Sequence, residues 1–261
     1  MSKFNQPIAS LYPDDTFLTA FPAAAAGGGG IAVDGTITAA SVNYNVADDT
    51  YVTLVDYTGS GWLLDYGIQM ASATVVQMTV DGTASVMTFS DADGALSQGS
   101  GYGRFPAQMY FASGLKIEAK VTSGSAGGSG NAWNNCVYTT GGSGGTPSVM
   151  KLAKNASVNS SSDTYEDILN VTTTGVLVTL GFKHSGANST QVHIRYTVDG
   201  GSAVNLDFAT STQWGDPDNT HYGVAHHLLP FSTSMRVEGK DDTAAFASEA
   251  MRAACIYIDE L

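Results

Sequence analysis

The chain has 261 residues, of which 43% are hydrophobic and 13% are charged, and its formal net charge is -13. Because it has only 11 Lys and Arg residues, it lacks the positive surface that binding to a nucleic-acid backbone or an anionic membrane surface requires. We therefore expect no nucleic-acid partner. The sequence contains no apolar run of 18 residues, so we also expect no membrane insertion.

The first 47 residues do not have the pattern of a folded domain. Large apolar side chains are spaced among three prolines without a sustained period of 2 or 3.6, and an Ala/Gly-rich spacer follows at residues 23–30. We expect residues 1–47 to form an extended arm, because too few residues surround these side chains to bury them locally. Its anchors on a neighbouring subunit would be Phe4, Tyr12, Phe17 and Phe21. A poorly ordered terminus is the alternative, and the alternation in residues 31–45 leaves an initial strand open.

An internal repeat determines the organisation of the rest of the chain. Residues 49–67 recur without a gap about 114 residues later, at 163–181, so that Gly61 aligns with Gly175 and Leu63 with Leu177. The similarity continues through residues 76–82 and 194–200, and it ends with the matching segments that begin at Cys136 and Cys255. A repeat of about 95–100 residues predicts two homologous domains, residues 48–145 and 146–261.

Most segments within each copy have the pattern of short strands. Runs rich in Val, Ile, Thr and Tyr are separated by Gly, Ser and Asn, as at residues 51–55, 62–69, 74–80, 133–139 and 192–198. Residues 115–121 alternate apolar and charged side chains, and residues 235–240 keep the same phase, which predicts the same register in both copies. We predict an all-β fold of two tandem antiparallel β-sandwiches, jelly-roll-like rather than immunoglobulin-like, with one short helix at residues 244–254.

The two cysteines occupy equivalent positions of the two copies. Cys136 and Cys255 each begin a short apolar segment, which favours small buried side chains in the last strand of each domain. A disulfide between equivalent interior positions of separate domains is geometrically awkward. We expect two free thiols, which fits a protein that is assembled in a cytoplasm.

Three patterns that could indicate chemistry are better explained by loops. Residues 141–145 match the nucleophile-elbow pattern, but they lie in a Gly/Ser-rich stretch without the strand and helix that the motif needs. The alternative of a metal site rests on a histidine cluster and two Asp-x-Asp pairs, and a polar loop and acidic turns are the preferred interpretations. These residues are His221, His226, His227, Asp91, Asp93, Asp216 and Asp218. We therefore predict no catalytic residues, no metal ligands and no cofactor.

Aromatic residues leave a carbohydrate-binding function open. Trp133, Trp214 and Tyr222 could stack on a sugar if they were exposed, although such residues more often lie in a core or an interface. Recognition of a host-surface glycan is therefore the alternative to a purely structural role. A glycan-cleaving enzyme is a third interpretation, but no pair of carboxylates stands out from the turns.

The whole pattern resembles the structural proteins of tailed bacteriophage virions, such as decoration, baseplate, adaptor and fibre subunits. The resemblance covers the whole chain and rests on its acidic tandem β-domains, its Gly/Ser/Thr-rich composition and its aromatic arm rather than on a diagnostic motif. It implies a non-enzymatic virion component of the tail or capsid, assembled in the host cytoplasm. Its partners would be other virion proteins and copies of itself in a homo-oligomer, as a trimer or a ring.

Overall fold

A computed structural model describes residues 34–44, 50–69, 74–89, 102–121, 132–158, 164–184, 192–208, 221–241 and 251–261. These residues form sixteen β-strands and no helix, and they belong to one structural unit, Asp34–Leu261. The four predicted arm anchors, Phe4, Tyr12, Phe17 and Phe21, lie outside the described residues.

The first eight strands form the first roll. They pair into two antiparallel four-stranded sheets, the β1 sheet in the order β1-β8-β3-β6 and the β2 sheet in the order β2-β7-β4-β5. The strands are β1 (Thr36–Tyr44), β2 (Val52–Thr58), β3 (Gly61–Gln69), β4 (Thr74–Val80), β5 (Thr83–Phe89), β6 (Tyr102–Phe111), β7 (Gly114–Val121) and β8 (Ala132–Thr140).

The last eight strands form the second roll with the same connectivity. The β9 sheet has the order β9-β16-β11-β14, and the β10 sheet has the order β10-β15-β12-β13. The strands are β9 (Ser148–Val158), β10 (Glu166–Val171), β11 (Gly175–His184), β12 (Val192–Val198), β13 (Val204–Phe208), β14 (His221–Phe231), β15 (Met235–Asp241) and β16 (Met251–Glu260). Eight strands in two sheets with this order make a jelly roll, so the predicted fold class is confirmed for both halves.

Irregularities of the backbone are shared by the two rolls. The register shifts past Leu54 in β2 and past Ile168 in β10, and it shifts again past Leu64 in β3 and past Val178 in β11. Each pair of bulged residues is aligned by the sequence repeat. A bulge bends its strand and adds twist, so the two copies share their curvature as well as their strand order.

The repeated glycines at the start of β3 and β11 are required by close packing. A Cβ atom on Gly61 would lie 2.0 Å from the carbonyl oxygen of Thr139 and 2.6 Å from Cζ of Phe111. A Cβ atom on Gly175 would lie 2.1 Å from the carbonyl oxygen of Ile258 and 2.8 Å from Cζ of Phe231. Only a residue without a side chain lets a backbone approach this closely.

Three sequence-based expectations need correction. The predicted start of the first domain at residue 48 leaves out β1, which pairs with β8 along its whole length. No strand is predicted at the start of the second domain at residue 146, but β9 lies there as an edge strand paired with β16. The helix predicted at 244–254 is wrong for residues 251–254, which open β16, and its remainder lies outside the described residues. Both β1, which the sequence left open as an initial strand, and β9 are edge strands with mixed polarity, for which alternation is a weak signal.

Candidate interaction surfaces

The interior of the first roll is filled by large apolar side chains. The fully buried members include Tyr66, Phe89, Phe105, Phe111, Met78, Met87 and Met109. Phe89 and Phe105 stack with ring centroids 6.3 Å apart. This interior is a packed core, so the surfaces of the two sheets and the ends of the roll are the parts that can meet a partner.

The two rolls meet through the outer face of the β9 sheet. Along β16, Ala253, Cys255 and Tyr257 belong to the core of the second roll, whereas the alternate residues belong to the same apolar cluster as the core of the first roll. Those alternate residues are Ala254, Ile256 and Ile258, and Val178 of β11 and Met150 of β9 join them. Full burial of one aliphatic side chain contributes about 1.5–3 kcal/mol. This contact therefore fixes the second roll to the first.

Hydrogen bonds between β5 and β9 complete the contact between the rolls. The Ser85 hydroxyl donates to the carbonyl oxygen of Met150 over 2.8 Å, and the Lys154 ammonium donates to the carbonyl oxygen of Thr88 over 3.0 Å. Tyr110 at the end of β6 forms an isolated parallel bridge with Pro147. The edge formed by β5 and β6 of the first roll thus covers the outer face of the β9 sheet.

The sequence held a signal for this interface that strand prediction alone did not use. Residues 253–258 are apolar without interruption, which indicates a strand buried on both faces. The equivalent segment of the first copy carries Asn135 and Thr139 where the second carries Ala254 and Ile258. Because the second copy is the more apolar of the two on its outer side, that copy is expected to have this side covered within the chain.

The outer face of the β10 sheet carries an ionic network. Glu238, with 3% of its side chain exposed, accepts hydrogen bonds from Nε and Nη2 of Arg195 at 2.6 and 2.8 Å. Arg236 lies 3.1 Å from the same carboxylate and donates to Asp167 over 2.7 Å. The Arg195 guanidinium also lies 4.0 Å from the centre of the Tyr165 ring. Hydrogen bonding to Glu238 raises the pKa of Arg195, and these groups join β10, β12 and β15.

Two equivalent aspartates bind the turns at one end of each roll. Asp81 and Asp199 have φ angles of 50° and 51° and stand at the turns before β5 and β13. Each carboxylate accepts three backbone N–H groups of the opposite turn, from Ala112, Ser113 and Gly114 and from Ser232, Thr233 and Ser234. Hydrogen bonds from Thr233 and Ser234 lower the pKa of Asp199. Burial raises the pKa of Asp81, but its three backbone hydrogen bonds outweigh burial and lower it.

The three histidines considered for a metal site lie on one strand, and the aspartates lie outside the described residues. His221, His226 and His227 lie along β14, where the register shifts before Leu229 and Leu228 has a φ angle of 95°. The acidic residues of both Asp-x-Asp pairs lie outside the described residues. Within the described ranges, no group of three or more His, Cys, Asp or Glu side chains is placed to hold a metal ion.

The three aromatic residues considered for sugar stacking are not brought together by what the structure describes. Trp133 lies on β8 and Tyr222 on β14, and Trp214 falls outside the described residues.

The expectation for the cysteines is confirmed, because Cys136 and Cys255 are both buried free thiols. Burial raises the pKa of each thiol to about 12. The described part of the chain contains no helix long and apolar enough to cross a membrane.

Comparisons with known proteins gave structural similarities at low sequence identity. No family model matches the chain, and no curated protein matches it. The STIV MCP is similar over 87% of this chain and 97% of its own length, with 9% identity and a TM-score of 0.47. The major capsid protein of bacteriophage PM2 is similar over 87% and 98%, with 10% identity and a TM-score of 0.44. A structure of infectious bursal disease virus, Gx strain, is similar over 94% and 76%, with 8% identity and a TM-score of 0.30. At these values the assignment of the fold rests on the strand order itself.

Proposed function

We propose that this protein is a non-enzymatic structural component of a bacteriophage virion, acting in the capsid or as a tail, baseplate or fibre subunit. The observation that carries the proposal is the pair of jelly rolls joined through one apolar cluster. Jelly rolls serve in viral capsids, lectins and cupins, and a fold by itself does not select among these functions. The choice therefore depends on what the side chains of this chain do.

The hydrogen-bonded carboxylates of the turns and of the β10 sheet, within the described residues, have structural roles. Asp81 and Asp199 each accept hydrogen bonds that join two turns, and Glu238 accepts hydrogen bonds that join neighbouring strands. The interior of the first roll is occupied by aromatic and methionine side chains. Catalysis needs polar groups that converge on a place where a substrate can lie, whereas a building block needs rigid faces. These interactions supply rigidity.

Assembly is proposed to depend on the N-terminal arm. The part of residues 1–47 that precedes β1 carries the anchors Phe4, Tyr12, Phe17 and Phe21, and an arm that becomes ordered on a neighbouring subunit buries apolar surface across the contact. Closed symmetry then repeats each contact around the oligomer. A homo-oligomer, as a trimer or a ring, is the assembly that we propose for the protein, together with contacts to other virion proteins.

The test uses particles purified from lysates of the organism that carries the gene. Quantitative mass spectrometry should find this chain at a fixed, multiple copy number per genome, and its absence from purified particles would refute the proposal. Deletion of residues 1–30 should leave the thermal unfolding of the two rolls intact while abolishing incorporation. Equal incorporation of the truncated and the full-length chain would refute the role of the arm.

The alternative function, glycan binding, is tested with the purified protein. Trp133, Trp214 and Tyr222 are the residues whose environment would change. Titration of the purified protein with host-derived glycans should leave its tryptophan fluorescence unchanged if the protein is purely structural. Saturable quenching by one glycan would replace the structural proposal with receptor recognition.

A further inference from the structure

The contact between the two rolls has an unfilled counterpart on the same chain. Within the chain, Ser85 on β5 touches Met150 on β9, and both residues are buried. Because the rolls are copies of one unit, each of these residues has an equivalent in the other roll. In the internal contact, the edge of the first roll covers the outer face of a sheet of the second roll. The two equivalents lie on the edge of the second roll and on the outer face of a sheet of the first roll, and neither takes part in the internal contact.

Register identifies the two equivalents. Ser85 lies opposite Met78 in the β4–β5 pair, and Val204 lies opposite Tyr196 in the β12–β13 pair. The sequence repeat aligns Met78 with Tyr196, so Val204 is the counterpart of Ser85. By the same argument Met150, opposite Ile258, corresponds to Ile37, opposite Thr139, because the segments that begin at Cys136 and Cys255 align.

Both equivalents are large apolar side chains exposed to solvent. Ile37 is 70% exposed and Val204 is 59% exposed, whereas Met150 is fully buried and Ser85 is 8% exposed. Exposed branched aliphatic side chains on a strand favour a contact that covers them. The two are the counterparts of the two residues that meet between the rolls, which distinguishes them from apolar residues scattered singly over a surface.

The residues around Ile37 and Val204 also have counterparts in the contact between the two rolls. On the outer face of the β1 sheet, Leu64 and Val137 are half-buried and Ala39 is exposed. Their counterparts on the β9 sheet, by the same alignment, are Val178, Ile256 and Leu152, which pack in the cluster shared by the rolls. On the other surface, Pro230 at the end of β14 is exposed, and its counterpart is the buried Tyr110.

We infer that the outer face of the β1 sheet around Ile37 binds a second copy of this chain through the edge around Val204. The copies then join head to tail. The contact between two chains repeats the contact that the two rolls make within each chain. Such a heterologous contact forms a closed ring when its rotation closes and an open fibre when it does not. The inference rests on the self-assembly in the proposed function, but it does not depend on which particle contains the protein.

A second copy fits this face better than an unrelated partner, because every chain carries the complementary surface. The edge that covers the β9 sheet is made by β5 and β6, and β13 and β14 reproduce their order and pairing in the second roll. The polar pair on the β1 face, Arg104 with Asp65, is internally neutralised. The face therefore presents no net charge from this pair to an approaching copy.

Site-directed crosslinking of the full chain tests the contact directly. The variants Ile37→Cys and Val204→Cys are made separately, mixed and treated with a short bis-maleimide; the native thiols are buried and do not compete. We expect a crosslinked dimer in the mixture and none in either variant alone. A chain carrying both substitutions should give a ladder of multimers. Val86→Cys provides the matched control, because Val86 is equally exposed, at 58%, and has no place in the interface.

Each outcome of the crosslinking has a defined meaning. No product from the mixture beyond that obtained with Val86→Cys would overturn the inference. A dimer from Ile37→Cys alone would also overturn it, because it would indicate a two-fold contact. A crosslinked dimer from protein that is absent from virus particles would leave the interface standing and refute the virion assignment, so the two failures can be told apart.

Sedimentation of charged variants gives a second measurement. Ile37→Lys and Val204→Lys should each weaken self-association by about 10- to 100-fold, the factor expected from losing burial of one branched aliphatic side chain. Val86→Lys should leave association unchanged. If Ile37→Lys weakens association and Val204→Lys does not, another segment such as the N-terminal arm covers the β1 face, and the inference is wrong.

Discussion

Replacement of the repeated glycines by alanine is the sharpest test of the equivalence of the two rolls. In Gly61→Ala and Gly175→Ala the new methyl group would lie 2.0 and 2.1 Å from a backbone carbonyl oxygen of the neighbouring strand. Ile258, which supplies the second oxygen, pairs with Val176 and Met150 on its two sides. Thr139, which supplies the first, pairs with Ile37, and the adjacent Tyr138 pairs with Leu63 on the other side of the strand. Neither oxygen can move away without breaking part of a sheet.

The expected cost follows from this overlap. Overpacking of a well-packed site usually costs about 1–3 kcal/mol, and we place both variants at about 3 kcal/mol or above because backbone rather than a side chain is displaced. For a unit of this size that corresponds to a decrease in Tm of about 6–12 °C. At an open site with ordinary φ the same change would stabilise the protein by about 0.4–1 kcal/mol. The sign of the change in stability therefore distinguishes a closely packed glycine from one at an open site.

Thermal unfolding followed by circular dichroism measures the effect, with Gly82→Ala as the control. A Cβ atom on Gly82 would meet no atom within 4 Å, but its φ of 85° is costly for alanine, so we expect a loss of about 1 kcal/mol. The two test variants should unfold at similar temperatures, well below the control. A Gly61→Ala or Gly175→Ala protein at least as stable as the wild type would refute the close approach of these strands.

Three further outcomes are expected. Because the folded-state pKa values of Asp81 and Asp199 lie below their unfolded values, their stabilisation is complete above about pH 4 and is lost as the pH falls through the folded pKa. Asp199→Asn should flatten an acid-unfolding curve in that range, and an unchanged curve would contradict the turn contact. Glu238→Gln should cost about 1–2 kcal/mol in urea unfolding, because its arginine partners are partly solvated; a neutral result would contradict the network. Cys136 and Cys255, with pKa values of about 12, should resist DTNB at pH 8 until guanidinium unfolds the chain, and rapid labelling would contradict their burial.

Much of the fold could be predicted because local patterns and the repeat agree. The predicted strands at 74–80 and 192–198 coincide with β4 and β12, and the shared phase of residues 115–121 and 235–240 appears as β7 and β15. The edge strands β1 and β9 were less accessible. Each pairs with only one neighbour, and their outer residues meet different surroundings in the two rolls, so one pattern of alternation cannot describe both.

The candidate interaction surfaces could be predicted only in part. Alternation in a strand shows that one face is buried, but it does not show which element covers the other face. Ala254, Ile256 and Ile258 are buried because the first roll lies on them, a contact between segments more than 100 residues apart in the sequence. The proposed role of Ile37 and Val204 follows only from the strand register, which makes them the counterparts of Met150 and Ser85.

The amino-acid sequence by itself determined that one antiparallel unit occurs twice, where most of its strands lie, and that its two thiols are buried. These properties depend on side-chain period, turn residues and self-similarity, which are local or directly comparable. The tertiary structure decided that β1 and β9 complete the sheets and that the β5–β6 edge covers the outer face of the β9 sheet. The physical reason is that burial of a sheet face depends on where distant strands come to lie, and only the folded chain brings those strands together.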